Sequence, residues 1–494
     1  MKTRIFWVLA IFAFAVLGAA AVWMGGLNQD EGWYLYAANL VAEGQVPYRD
    51  FFYTQGPLMP LVYSVLTPVW KLGGLLGARI LTLLFGAMGV ALAMGLARRL
   101  SPADRRNEAA LVVFLLLGCN LYHLYYVAIP KTYALASVFV LAGFFLLSFC
   151  RTARTGAAAL FSAGAGLSLA FAAGTRISLA ALLAVVGLTL LLSRRWRTLA
   201  GFCVGGFAGL SLVYLPFLCD AGARAGLIAA QQYHAARAGF DPVWTVGSLS
   251  RLVRWYLPVF IVCGLGLPGW SFAKRGAQDV NVLFYGCFAV FAVQMLAPFP
   301  YEDYQVPVMG LLAVFAAATF LRASDPSASR LFAHSSLLLV LGLSFATSFG
   351  SPLLERWMTN GQDRFWSLKK EKTELAQLRD VARRIARIDP GGRDLLTQDL
   401  YLAIEADRKV PKGLEMGPFA MLSDADWRKL VESAPCAVAA MSGYAFAIKP
   451  PACTERPIEE QMVYWGLLKK NYKLVDREEA FGQNATPLLV LKRQ

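Results

Sequence analysis

The sequence predicts a polytopic α-helical membrane protein with a small α/β domain at its C-terminal end. Three observations predict it. Hydrophobic residues make up 57% of the 494 residues and the mean hydropathy is +0.50, against about 45–50% apolar content in a soluble globular protein. Apolar runs of about 18–22 residues recur through the first 350 positions, the length that crosses the hydrocarbon core as a helix. From about Glu355 onward charged residues become frequent and no apolar run is long enough to span.

The first element starts at Lys2 and Arg4 and stays apolar to about Gly26. Ala19-Ala20-Ala21 would suit cleavage of a signal peptide, but the apolar run is longer than a usual signal core, so it reads as a retained first helix. With that helix at 5–26, further spans are expected near 76–97, 109–122, 132–150, 157–173, 177–193, 199–219, 256–272, 281–297, 305–321 and 333–350, about 11 in all. Charge orients them. With the N-terminus in the cytoplasm, each inside turn is short and carries at least two basic residues: Arg98/Arg99/Arg105/Arg106, Arg151/Arg154, Arg194/Arg195/Arg197, Lys274/Arg275 and Arg322/Arg330. Basic residues are sparser in the longer outside loops, as the positive-inside rule requires. The net charge of +15 is thereby assigned to membrane orientation, and nucleic acid is not an expected partner.

The odd number of spans places residues 351–494 outside, as a soluble domain distinct from the membrane domain of residues 1–350. The expected setting is a bacterial cytoplasmic (inner) membrane with the C-terminal domain in the periplasm. In that domain Phe365, Leu368, Leu375, Leu378, Val381, Ile385 and Ile388 mark one helix face, stopped by Pro390-Gly391-Gly392. Strands are expected at Asp394–Leu400, Cys436–Met441 and Thr486–Leu491. Of 8 cysteines, six lie in or beside apolar runs and read as small buried residues. Cys436 and Cys453 either pair, as an oxidising compartment permits, or stay free thiols. Neither they nor the 3 scattered histidines have metal-ligand spacing.

Two outside loops are long, 27–75 and 220–254. In the first, Glu31–Ala42 reads as an amphipathic helix, and Gly56-Pro57 to Val69 as a short helix lying at the interface. This loop also carries Asn28-Gln29-Asp30-Glu31-Gly32-Trp33 and Pro47-Tyr48-Arg49-Asp50-Phe51-Phe52. Adjacent carboxylates at the mouth of a membrane helix are a functional hypothesis by default. The topology gathers further charge on the same side: Lys131 after an outside turn, Arg176 in the next one, and Tyr301-Glu302-Asp303-Tyr304 before the tenth span. A carboxylate can deprotonate an attacking hydroxyl, while Lys and Arg hold phosphate oxygens. Together they suit attack by an acceptor hydroxyl on a sugar whose leaving group is a lipid phosphate.

Asp30-Glu31 after the first helix, Pro47 to Phe52 with Gln55-Gly56-Pro57-Leu58, and Tyr304-Gln305-Val306-Pro307 resemble the GT-C glycosyltransferases. The resemblance is to the branch of protein O-mannosyltransferases and the lipid A aminoarabinose transferase. It spans roughly residues 1–350 and is strongest over 28–60. It implies inverting transfer from a polyprenyl-phosphate sugar donor to a lipid, glycan or protein acceptor at the outer membrane face. It implies Asp30 as general base, with Glu31 and Asp50 as accompanying acids. Lys131 and Arg176 sit where related enzymes bind the donor phosphate, matched by topology, and Tyr53, Gln55 and Tyr304 are candidate substrate contacts. No cofactor is required. A divalent cation would have oxygen ligands in Asp30, Glu31 and Asp50, but nothing demands one.

Each residue also has a plain structural reading. Asp30 and Glu31 would complement a helix N-terminus. Asp50 could staple its loop through Arg49 or Arg79. Lys131 and Arg176 could snorkel to the interface. Glu302 and Asp303 read as a solvated turn, Tyr304 first as an interfacial aromatic, and His123 and His234 as weak candidates. The alternative function is a lipid or lipid-linked sugar flippase or transporter. It lacks support from paired Gly/Pro-broken repeats. A third reading is a non-catalytic sensor or scaffold.

Overall fold

The computed structural model describes residues 2–235, 240–270, 278–297, 300–323, 342, 372–420, 422–442, 465–483 and 485–494. The membrane part runs α1 (Lys2–Met24), α2 (Gln29–Ala42), α3 (Leu58–Val65), α4 (Thr67–Trp70), α5 (Gly74–Leu100), α6 (Arg106–Gly118), α7 (Leu121–Ala128), α8 (Thr132–Leu147), α9 (Thr155–Thr175), α10 (Ala180–Leu192), α11 (Trp196–Cys219), α12 (Ala221–Ala235), α13 (Pro242–Trp255), α14 (Leu257–Gly266), α15 (Gln278–Met295) and α16 (Val306–Ala323).

Among the described residues 4 helical stretches are long and apolar enough to cross a membrane: Thr67–Leu100, Gly156–Thr175, Trp196–Cys219 and Glu302–Ala323. Three pairs bent by 87°, 71° and 79° raise the number to 7 if each is one span. The protein is therefore membrane-embedded and mostly helical, with 4 to 7 clear spans among the described residues where about 11 were expected over the whole chain. The physical reason lies in short and broken elements. The apolar run after Arg106 breaks at Cys119-Asn120, and α8, α10 and α15 are apolar helices shorter than the spans above. The span expected at 333–350 lies outside the described residues apart from Gly342.

Close packing holds the bundle. Where α9 crosses α11, a Cβ on Gly205 would run into the Ala163 carbonyl, so a small residue is needed there. The innermost helix is α16, in which every residue from Val306 to Leu321 is buried.

The C-terminal domain contains α17 (Glu374–Ile388), β1 (Leu395–Leu396), α18 (Leu400–Glu405), α19 (Asp424–Ser433), β2 (Val438–Ser442), α20 (Trp465–Asn471), β3 (Tyr472–Phe481) and β4 (Thr486–Arg493). Its sheet has the order β1-β2-β4-β3, with β1 parallel to β2 and the other pairs antiparallel. The strand expected at Asp394–Leu400 shortens to Leu395–Leu396, because the chain turns at Gln398 and Leu400 opens α18. The helix at Glu374–Ile388 is capped by Thr373, whose hydroxyl accepts from the Ala376 N–H. Phe365, Leu368 and Cys453 lie outside the described residues, and Cys436 is buried. This domain does not stand apart from the membrane part: residues of α2, α3, α17, α18 and the sheet share one hydrophobic core.

Candidate active site

The site begins at a helix cap. Asn28 has an extended backbone and its side chain accepts from the Asp30 N–H at 3.0 Å, while Glu31 Oε1 accepts from the Asn28 N–H at 2.9 Å. This reciprocal capping box sets the start of α2. Successive helix residues point about 100° apart, so the two neighbouring carboxylates diverge. Glu31 turns inward and takes two hydrogen bonds from Arg79, at 2.6 and 2.9 Å, both side chains wholly buried. Arg79 spends its other donors on the carbonyls of Val22, Gly25 and Gly26. Glu31 thus locks the α1–α2 corner and does not line the cleft.

Asp30 turns outward onto a cleft of about 480 Å³. Its carboxylate meets Lys131 Nζ at 2.8 Å and accepts from the Trp33 indole N–H at 3.2 Å. Lys131, the residue just before α8, also bonds Asp303 Oδ2 at 3.0 Å. The Tyr133 hydroxyl donates to the same Asp303 oxygen at 2.8 Å. Side-chain exposure separates the three groups: 31% for Asp30, 5% for Lys131 and 9% for Asp303. Asp30 is the member open to a reactant. Burial raises its carboxyl, but the Lys131 charge and hydrogen bond more than offset this, and it lies below the usual carboxylate range.

Arg176 follows the last turn of α9 with an extended backbone. Its Nη1 donates to the Thr132 hydroxyl at 3.2 Å, and the guanidinium lies over the Tyr133 and Tyr304 rings at 5.0 and 4.7 Å. Among the described residues its Nε has no hydrogen-bond partner and its guanidinium pairs with no carboxylate. The cleft sets Asp30 and Asp303 against Lys131 and Arg176, with Glu302 at its rim paired to Arg251, and Arg176 is the lining cation with no carboxylate partner among the described residues.

Gln55 and Tyr304 line the cleft, whereas Tyr53 and Asp50 do not. Tyr53 is buried among Trp33, Tyr34, Tyr48 and Phe51. Asp50 is a loop staple: it accepts from the Val46 N–H at 2.7 Å and pairs with Arg49 at 2.9 Å. The Arg49 hydrogen bonds bring its carboxyl down to about 2. That turn holds Tyr48 at a left-handed φ of 70° and sends Gln55-Gly56 toward Gly174, where a Cβ on Gly56 would strike the Gly174 carbonyl. Asp30, Glu31 and Asp50 consequently face three different surroundings. Among the described residues no three metal-ligating side chains converge.

Sequence reading took Asp303 for a solvated turn and overlooked Tyr133 and Trp33. The signal for Asp303 was its place: a carboxylate opening a mostly apolar span. Glu302 does face the rim, paired with Arg251 at 3.0 Å. His123 is buried against the Tyr256 hydroxyl at 3.0 Å and stays off the cleft.

This fold, a helical membrane bundle packed against a small α/β domain, is shared with solved GT-C glycosyltransferase structures. ArnT from Cupriavidus metallidurans, a lipid A aminoarabinose transferase, is similar over 99% of this chain and 98% of its own, with a TM-score of 0.68 at 16% identity. The same protein bound to undecaprenyl phosphate gives a TM-score of 0.68 at 15% identity, covering 98% of this chain and 97% of its own. The Archaeoglobus fulgidus oligosaccharyltransferase tethered to an acceptor peptide gives 0.54 at 11% identity, over 98% of this chain and 74% of its own. No protein-family model matches the sequence, and no curated protein sequence matches it.

Proposed function

We propose that the protein is an inverting glycosyltransferase that moves a sugar from a polyprenyl-phosphate donor to a hydroxyl acceptor at the outer face of the cytoplasmic membrane. The observation that carries this reading is one cleft that holds an exposed carboxylate, Asp30, with two cations: Lys131, which pairs with it, and Arg176, which pairs with no carboxylate among the described residues. The GT-C fold, shared with a structure that holds undecaprenyl phosphate, supports a lipid-phosphate donor.

In this reading the acceptor oxygen attacks the anomeric carbon on the face opposite the phosphate, and its proton passes to Asp30. The sugar–phosphate C–O bond breaks, and its electron pair leaves with the polyprenyl phosphate. The donor diester carries one negative charge and the departing monoester gains a second. Arg176 holds the phosphate throughout. Protonation of Asp30 removes one of the two carboxylates that neutralise Lys131, so the ammonium becomes available as phosphate charge develops. Electrostatic stabilisation of this kind is strongest in a poorly hydrated site. Asp303 and Tyr133 keep Lys131 aimed. Glu31 and Asp50 serve by fixing α2 and the Gln55 loop, not by touching reactants.

The test is Arg176→Gln, assayed with purified protein in nanodiscs. Its affinity for undecaprenyl phosphate should fall about 10–100-fold, the loss of a charge-assisted phosphate contact. Unchanged affinity would remove Arg176 from donor binding.

A further inference from the structure

Beside Arg176 the cleft holds a polar feature that the transfer step leaves unused. Gln294 sits in the last turn of α15, in an otherwise apolar stretch, and is 3% exposed. A buried amide at such a place in a membrane helix is costly unless it faces a cavity or a partner. Its Nε2 donates to the Ser178 hydroxyl at 3.0 Å, which orients the amide, and Ser178 follows Arg176 by two residues. Its Oε1 is buried with no hydrogen-bond partner among the described residues, and Gln294, Ser178 and Arg176 all line the same cleft.

Three buried atoms of the cleft lining lack a partner among the described residues, Gln29 Oε1 on α2 and, at the Arg176 end, Arg176 Nε and Gln294 Oε1, and the last two have opposite character. Arg176 Nε is a donor and suits a phosphate oxygen. Gln294 Oε1 is an acceptor, which no phosphate diester can satisfy. An isoprene unit has no polar hydrogen, and in the proposed reaction the acceptor hydroxyl is engaged at Asp30. The part of the donor that lies next to the phosphate and carries O–H or N–H groups is the sugar. We infer that Gln294, oriented by Ser178 beside Arg176, reads a hydroxyl or amino group on the sugar ring of the lipid-linked donor. This rests on the proposed glycosyl transfer and adds a sugar-selecting subsite to it. A buried acceptor built for a substrate donor group rejects analogues that lack it, because the acceptor is then left unpaired.

The experiment compares wild type with Gln294→Leu in nanodiscs. It uses the polyprenyl-phosphate sugar that wild type turns over from a hexose and pentose panel, its monodeoxy analogues, and undecaprenyl phosphate alone. The variant should lose about tenfold in kcat/KM on the full sugar and keep wild-type affinity for undecaprenyl phosphate. On one monodeoxy analogue the two enzymes should be equal. Ser178→Ala should follow the same pattern with a smaller loss, and it carries the comparison if Gln294→Leu does not fold. Equal kcat/KM on every donor would overturn the assignment alone. So would weaker binding of undecaprenyl phosphate with sugar discrimination intact, which would make Gln294 a phosphate contact. Absence of turnover of any donor by wild type would overturn the transferase reading and the subsite with it.

Discussion

At the scale of single residues, environment separates carboxylates that look alike in the chain. Asp30 is held ionised by Lys131 and Trp33 yet remains open to the cleft, which suits a group that must receive a proton and lose it again. Glu31 is sealed against Arg79, so Glu31→Gln would leave a buried guanidinium with no charge partner. Breaking such a pair costs about 3–5 kcal/mol, and the variant should unfold at a clearly lower temperature in a detergent melt. Asp50→Asn, at an exposed pair, should leave the melt nearly unchanged. An equal effect of the two substitutions would contradict this division. Asp30 and Glu31 were both legible in the sequence as important, but their division of labour was not. It depends on Arg79, 48 positions on from Glu31 in the chain. Asp303 was misread because a Tyr-Glu-Asp-Tyr string looks solvated until Lys131 and Tyr133 are brought against it.

At the scale of elements, the site depends on two local devices. The capping box at Asn28 and Glu31 places Asp30 in the first turn of α2, and the Asp50 turn delivers Gln55-Gly56 to the end of α9. Gly56→Ala should displace that loop from the Gly174 carbonyl, destabilise the protein by about 1–3 kcal/mol and lower transfer. A fully active, equally stable variant would show that the approach is slack. Helices such as α5 and α11 were readable because their apolar runs are long and bounded by charge, whereas the short α8 and α10 and the bent pairs left the span count of 11 unconfirmed. The strand β3 was missed for the opposite reason. Lys473 to Ala480 is mostly exposed, so this edge strand shows no buried alternation, and its pairing with β4 defines it.

At the scale of the molecule, the C-terminal domain grips the segment of residues 27–75 that carries Asp30. Glu374 accepts from the Leu27 N–H at 2.7 Å and Glu405 from the Leu75 N–H at 2.8 Å. The Tyr36 hydroxyl accepts from the Val410 N–H at 2.9 Å. Asp399, wholly buried, accepts from Gln29 Nε2 at 2.7 Å and from the Tyr401 hydroxyl at 3.0 Å. No sequence pattern announces the contacts made by Leu27, Leu75, Tyr36 and Gln29, because each joins segments more than 300 positions apart. Burial pushes the Asp399 carboxyl up from its ordinary value. A carboxyl with a raised folded pKa is favourable when protonated, so its contribution shrinks as pH rises from the unfolded value, near 3.9, through the folded one. Asp399→Asn keeps an acceptor oxygen without the charge. Its melting temperature should therefore pull above that of wild type as pH increases over that window, in parallel melts across pH. A gap that stays constant with pH would contradict the raised value.

The most direct measurement incubates purified wild type and Asp30→Asn in nanodiscs with a panel of radiolabelled polyprenyl-phosphate sugars and follows sugar transfer or release. Wild type should turn over one donor. The variant should lose at least about 10²–10⁴-fold, with an unchanged melting profile. Full activity of Asp30→Asn, or redistribution of the lipid across the bilayer without cleavage of any donor, would contradict the proposed transfer.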